Sequence, residues 1–292
     1  MQPPVDQLRA LAAIADHGSF EAAARVLHVT PSAISQRIRA LESTAGRVLL
    51  LRTSPCRPTP AGESLVRLAR QTALLWSEAA EELDAGAAGV RDLAVAVNAD
   101  SLATWWRPVL GAVADWDRVA LHLHVRDQAR SADLLRSGEV LAAVTSEPTA
   151  VQGCTAEALG VLRYRPAATP ALAERWRRGR GQDWERMPVV VFDSHDRLQH
   201  DLLEGHGVAL PPVVHRVPSS ADFHEAVRRG LGWGAVPEPQ LGPDLATGDL
   251  VALPGGHHVD VRLHWQRWRL DSPVLDRLTA AVRDAARAGL RR

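Results

Sequence analysis

The sequence predicts an α/β protein in two parts joined by one long helix, and three observations carry that prediction. Short apolar stripes with capping residues fill the first sixty positions, an unbroken helical stretch follows Thr59-Pro60, and beyond residue 90 short apolar runs alternate with helical stretches. The chain has 292 residues, enough for about two domains at roughly 100–200 residues each. Its 46% hydrophobic and 23% charged content is that of a cored globular protein, which excludes disordered, collagen-like and coil-only chains.

In the first part Val5, Leu8, Leu11, Ala12 and Ala15 recur at helical spacing, and His17-Gly18 ends that stripe. Ser19 stands where an N-cap belongs, ahead of Phe20, Ala23, Ala24 and Leu27, and His28-Val29 is a turn. Thr30-Pro31 opens a third helix to about Thr44. The threonine hydroxyl can cap orphan N–H groups, and proline at the first helical position gives up a donor that has no partner there. Along this helix Ile34, Ile38 and Leu41 make one apolar face, which leaves Ser32, Ser35, Gln36 and Arg39 on the other. Helix, short turn and helix with an Arg-bearing exposed face is the arrangement that lays its second helix in the major groove of DNA. Val48 to Leu51 is a β-prone run, and Arg52 to Arg57 is a proline-containing turn between arginines, which together make a wing.

From Thr59-Pro60 to about Ala88 one long helix is expected. Leu65, Leu68, Thr72, Leu75, Ala79 and Leu83 follow alternating three- and four-residue steps, a seam that two chains can bury together, and Gly86 to Gly89 is a natural hinge. Expected strands are Leu93–Val97, Leu121–Val125, Val140–Val144, Val189–Phe192, Val213–Val217 and Gly234–Val236, the pattern of βαβ units. The domain boundaries expected are 1–59, 60–89 and 90–292.

Net charge is zero, but it is unevenly placed: residues 1–70 hold nine arginines against five acids, and the remainder is net negative. That asymmetry points to a nucleic-acid module at the N-terminal end. All 34 basic residues are arginine, which reads as compositional bias, since phosphate recognition would not empty the whole surface of lysine. Cys56 and Cys154 suggest neither a disulfide framework nor a zinc site. His122, His124 and the His257-His258 pair come without carboxylates or thiols at ligand spacing, so no metal and no cofactor is expected. Asp193-Ser194-His195 are neighbours in sequence, which rarely assemble a triad, and Gly-x-Ser-x-Gly does not occur; no enzyme is expected. No window approaches the roughly 18 apolar residues of a membrane span, and the start lacks the basic and apolar regions of a signal peptide. A cytoplasmic protein with no membrane partner is the expectation.

Residues 18–46, GSFEAAARVLHVTPSAISQRIRALESTAG, and the following RVLLLRTSPCRPTPAGESL resemble the N-terminal domain of LysR-type transcriptional regulators. The resemblance covers the whole chain. Val97 to Trp105, Gln152-Gly153-Cys154, Leu159 to Tyr164 and Val217 to Phe223 are similar to the basic-amino-acid-responsive, ArgP/LysG-like branch. It implies a winged helix-turn-helix, a dimerising linker helix and an effector domain of two Rossmann-like, periplasmic-binding-protein-like lobes. The first lobe is then 90–163 plus 267–292 and the second 164–266. It also implies a homodimer or dimer of dimers on promoter DNA, RNA polymerase as partner of an activator, lysine or arginine as effector, and an amino-acid exporter gene as target. Other readings are a regulator with a different small-molecule effector, a transport-type solute-binding protein and a non-specific chromosome-organising protein. The DNA-reading head and the missing signal peptide argue against the solute-binding protein, and sequence-blind, ligand-insensitive binding would mark the chromosome-organising one.

Gln36 can pair bidentately with adenine and Arg39 with guanine, while Ser32 and Ser35 can reach bases or phosphates. Thr30, Arg37, Arg52 and Arg57 are candidate phosphate anchors, against the plainer alternative of solvated surface charges. Ligands of open α/β sheets bind at the carboxyl ends of strands, where Ser101, Thr145, Ser219 and Ser220 could hold a carboxylate. Asp100, Asp127 and Asp193, also at strand ends, could meet ammonium groups, and Trp105 is a candidate ligand contact. The competing roles are N-cap for each serine and turn residue for each aspartate.

Overall fold

The computed structural model describes residues 3–83, 89–125, 131–194, 196–255 and 257–292. Helices α1 (Val5–His17), α2 (Phe20–Val26) and α3 (Pro31–Ala45) form the head. Ser19 Oγ accepts from Ala22 N–H at 3.1 Å and Thr30 Oγ1 from Ala33 N–H at 3.2 Å, so both expected caps start their helices. Gly18 and Gly46 end α1 and α3 in the left-handed conformation, and His28, at φ 52°, turns the chain between α2 and α3. Leu11, Ile14, Ile34, Ile38, Leu41 and Leu49 share one buried core. Strands β1 (Leu50–Leu51) and β2 (Arg57–Pro58) pair antiparallel as the wing.

Helix α4 (Pro60–Glu82) links the head to the larger domain, and of the expected hinge, Gly86 to Gly89, residues 86–88 lie outside the described residues. Val66, Ala69, Leu74 and Glu78 face the chain's own body, whereas Leu68, Leu75, Trp76 and Leu83 are exposed. Arg67 and Arg70 tie this helix to its surroundings. Arg67 Nη1 donates to Arg136 O at 2.6 Å, Arg70 Nη1 donates to Gly138 O at 2.7 Å, and Arg70 Nη2 pairs with the Asp16 carboxylate on α1.

In chain order among the described residues, β3 (Arg91–Val97), α5 (Ala99–Ala103), α6 (Arg107–Ala114), β4 (Val119–Val125), α7 (Ser131–Ser137) and β5 (Ala142–Thr145) build the first lobe. Strand β6 (Cys154–Ala168) then leaves it, and the second lobe follows: α8 (Pro170–Arg175), β7 (Arg177–Arg178), β8 (Gly181–Gln182), β9 (Val189–Val191), α9 (Leu198–Gly205), β10 (Val214–Arg216), α10 (Ser220–Arg228), β11 (Gly234–Pro237), α11 (Glu238–Thr247) and β12 (Val251–Ala252). Strand β13 (Val259–Trp268) returns, and α12 (Pro273–Gly289) packs back on the first lobe. Glu78 of α4 accepts from Ser272 Oγ at 2.7 Å and Val274 N–H at 3.2 Å, an acid set against the N-terminus of α12.

One sheet runs through both lobes in the order β11-β6-β13-β5-β3-β4, with β12 on β6. Strands β6 and β13 pair antiparallel from Val259↔Tyr164 to Trp268↔Cys154, with a bulge between Leu263 and His264. From His264 on, β13 also pairs with β5. The bulge thus falls where β13 begins to pair with β5 of the first lobe. On the other side Val161 exchanges backbone bonds with Arg291 at 2.8 and 3.0 Å, and Arg291 Nε reaches Glu238 of the second lobe at 2.6 Å. Among the described residues no helix is long and apolar enough to cross a membrane.

Candidate functional site

Two sites emerge, one on the head and one between the lobes. On α3 the buried face is Ile34, Ile38 and Leu41, so Gln36 and Arg39 stand exposed and Ser35 half-buried. Ser32 Oγ lies 2.9 Å from Thr30 Oγ1, so the two hydroxyls share a bond at the helix start. Arg37 Nη2 donates to Asp6 on α1 at 3.3 Å, an exposed pair that a phosphate can displace. Arg52 lies over the Phe20 ring, 5.5 Å from its centroid, and Arg57 begins β2, so the two bracket the wing turn.

Between the lobes is a cleft of about 830 Å³, at the carboxyl ends of β3, β5 and β9. Asp100, in the first turn of α5, lines it. Its Oδ1 accepts from Ser220 Oγ at 2.7 Å and its Oδ2 from Tyr164 OH at 2.9 Å, so one carboxylate joins α5 to α10 across the cleft. Ser219 caps α10, accepting from Asp222 N–H at 3.4 Å. Asp193 lines the cleft and accepts from Asp196 N–H at 3.0 Å. Thr145 is buried at the end of β5 and accepts from Glu147 N–H at 3.0 Å, leaving its neighbour Ser146 on the cleft wall. Ser101 is fully buried, and its Oγ has no hydrogen-bond partner among the described residues. Asp127 lies outside the described residues.

Trp105 is not on the cleft wall. Trp106 N–H bonds back to Ser101 O at 3.0 Å and folds the Trp-Trp pair into the core. There Trp105 meets Trp106 edge-on at 5.5 Å and packs over Gly289, where an added Cβ would lie 2.5 Å from the Trp105 Cβ.

The sequence reading missed Tyr164, Asp196, Gln199, Asp260 and Arg262, all on the cleft wall. Tyr164 is the only tyrosine and sits on a strand that was not expected, so its alternation gave no warning. Asp260 is gripped by Arg163, Nε and Nη2 each at 2.7 Å, and that pairing holds its carboxyl below the ordinary value. Burial pushes the Asp196 carboxyl above its ordinary value; backbone N–H groups oppose this and the charge of Asp193 adds to it. Among the described residues no three His, Cys, Asp or Glu side chains come together as metal ligands.

A helix-turn-helix head with a wing, joined by a long helix to a two-lobed domain with a polar cleft, defines a ligand-responsive DNA-binding protein. Residues 5–63 match the model of bacterial regulatory helix-turn-helix proteins of the lysR family, and residues 88–287 match the LysR substrate binding domain. The chain belongs to the LysR family of transcriptional regulators. It is 52% identical over 286 residues to the lysine export transcriptional regulatory protein LysG of Corynebacterium efficiens, covering 97% of this chain and 98% of the relative. Among solved structures it is similar to full-length LysG from Corynebacterium glutamicum with bound effector Arg, at TM-score 0.83 and 44% identity over 100% of both chains. It is also similar to ArgP from Mycobacterium tuberculosis, at TM-score 0.86 and 43% identity over 98% of both chains.

Proposed function

We propose that this regulator binds a basic amino acid, lysine or arginine, between its lobes, and that the bound ligand sets how the heads hold promoter DNA. The observation that carries the reading is a cleft with acids on both walls, Asp100 on one and Asp193 with Asp196 on the other, beside the N-terminus of α10. A zwitterion with a second cation needs that combination of donors and acids. The relatives support it, one being a lysine export regulator and another having Arg bound. An amino-acid exporter gene is the target, and RNA polymerase is the further partner where binding activates. A ligand that touches both lobes favours one lobe arrangement, and α4, docked on the first lobe, passes the difference to the heads.

A thermal-shift screen of the twenty amino acids, repeated with DNA footprinting, tests the reading. Lysine or arginine should raise the melting temperature and alter the footprint; no response to either refutes it. Asp100→Ala removes a carboxylate of the wall, and lysine affinity by calorimetry should fall about tenfold or more, the scale of a lost charge-assisted bond. An unchanged Kd would take Asp100 out of the site.

The exposed seam of α4, with Leu68, Leu75 and Leu83, supports a homodimer built along the linker and a dimer of dimers from it. Leu75→Asp puts a charge in that seam. Sedimentation at micromolar concentration should show a shift toward monomer, and an unaltered mass would move the interface elsewhere.

A further inference from the structure

The cleft wall at residues 192–193 and 196–199 offers acceptors, and three of its backbone donors are used within it. Asp196 accepts from the N–H groups of Phe192 and Leu198, both at 2.9 Å, and the N–H of Asp196 is given to Asp193. These amides are consumed within the loop. Arg197 also lines the cleft, and its Nη2 is already paired with Glu204 and Asp201, at 3.0 and 3.4 Å. Next to it Gln199, in the first turn of α9, lines the cleft while only 1% exposed, and its Oε1 has no hydrogen-bond partner among the described residues. A buried amide oxygen without a donor is costly, and a ligand N–H placed against it removes that cost. Burial also holds the Asp196 carboxyl above its ordinary value, a strain on the charged form that a cation would relieve.

The opposite wall has the reverse character. Asp100 is there with two hydroxyl donors, Ser220 and Tyr164, at the N-terminus of α10. A carboxylate held beside a helix N-terminus suits the head of an amino acid, its α-ammonium at Asp100 and its carboxylate at the N-terminus of α10. Acceptors whose neighbouring cation, Arg197, is already paired suit a lone cation.

We infer that Gln199, with Asp193 and Asp196, forms the subsite for the effector's side-chain cation, and that the Gln199 carbonyl is its specificity-determining acceptor. The inference rests on the basic-amino-acid reading above and adds the ligand's orientation, with its head at Asp100 and Ser220 and its far end at α9. Gln199 then separates a ligand that ends in N–H donors from one that ends in a methyl group, while the charges of Asp193 and Asp196 favour a cation over a neutral end.

The test is calorimetry on the full-length protein with L-lysine and L-arginine, each against a neutral counterpart, L-norleucine and L-citrulline. The wild type should prefer the charged member of each pair by about tenfold or more. Gln199→Leu should lose most of the preference for lysine over norleucine, and Gln199→Glu, which keeps an acceptor at the same place, should restore it. Should Gln199→Leu fail to fold, Asp196→Asn is read by the same ratio. An undiminished charged-to-neutral ratio in the folded variants overturns the subsite. A wild type that binds neither lysine nor arginine overturns the effector reading instead, so the two failures are told apart.

Discussion

Arg39→Ala should relax the choice of base at one operator position and weaken binding there by about 1–3 kcal/mol, while the head stays folded. The neighbouring Ile38 is buried and Arg39 is exposed, so the substitution reaches solvent or DNA and leaves the packing of Ile34, Ile38 and Leu41 untouched. Alanine is also the better helix former, which keeps α3 intact. Competition binding against operators altered one base pair at a time separates the two effects. A base reader loses its ranking of the four bases at its own position. Loss of a phosphate anchor, the role expected of Arg57, weakens all sequences alike and lowers the salt dependence. An Arg39→Ala protein with the wild-type ranking would show that this side chain does not read bases.

Gly138→Ala should lower the melting temperature and blunt the effect of lysine on DNA binding, because it acts where head, linker and first lobe meet. Gly138 has φ +70°, and an added Cβ would lie 2.5 Å from the Arg67 Cβ and 2.6 Å from its Cα. The left-handed backbone alone costs an ordinary residue roughly 1–2 kcal/mol. The overlap is with the backbone of α4, which no rotamer change relieves, so the helix must move away from the lobe. Moving it stretches the bonds from Arg67 to Arg136 O and from Arg70 to Gly138 O. Arg70 also holds Asp16 of the head, so one displaced side chain loosens two parts at once. Thermal melts and DNA titrations with and without lysine check this. A full wild-type response in a destabilised variant would show that the signal takes another route.

The head was legible because its signals are local. Ser19, Thr30 and Pro31 mark helix starts and Gly18 and Gly46 mark ends through the backbone's own demand for partners, whatever the rest of the chain does. The first lobe's strand at 91–97 was legible as an apolar run, being buried in a parallel sheet. The strand expected from Val140 begins at Ala142, since Val140 and Leu141 still bond to Leu134 and Ala94 as the chain enters the sheet. Strands β6 and β13 were not expected. In β13 Val259, Val261, Leu263 and Trp265 do alternate with Asp260, Arg262, His264 and Gln266, a readable period of two. In β6 the alternation is confined to Leu162, Tyr164 and Pro166 against Arg163 and Arg165, and the rest of the strand, from Cys154 to Val161, has no period of two. For the cleft wall, strand-end reasoning placed Asp100 and Asp193, and Ser220 bonds to Asp100; these positions follow from topology. It could not find Tyr164 or Gln199, whose roles depend on how a second lobe closes over the first, nor foresee that Trp105 turns inward.

The two lobes share a ribbon of two long strands, paired on either side of a single bulge at Leu263 and His264. A ribbon of that kind resists bending in its own plane and yields by twisting, since torsion keeps its interstrand bonds while shear breaks them. The motion this ribbon favours, were ligand capture to move the lobes, is a small rotation of one half against the other about the ribbon axis. Any leverage that the DNA-bound ends experience must come from the length of the arm attached to it.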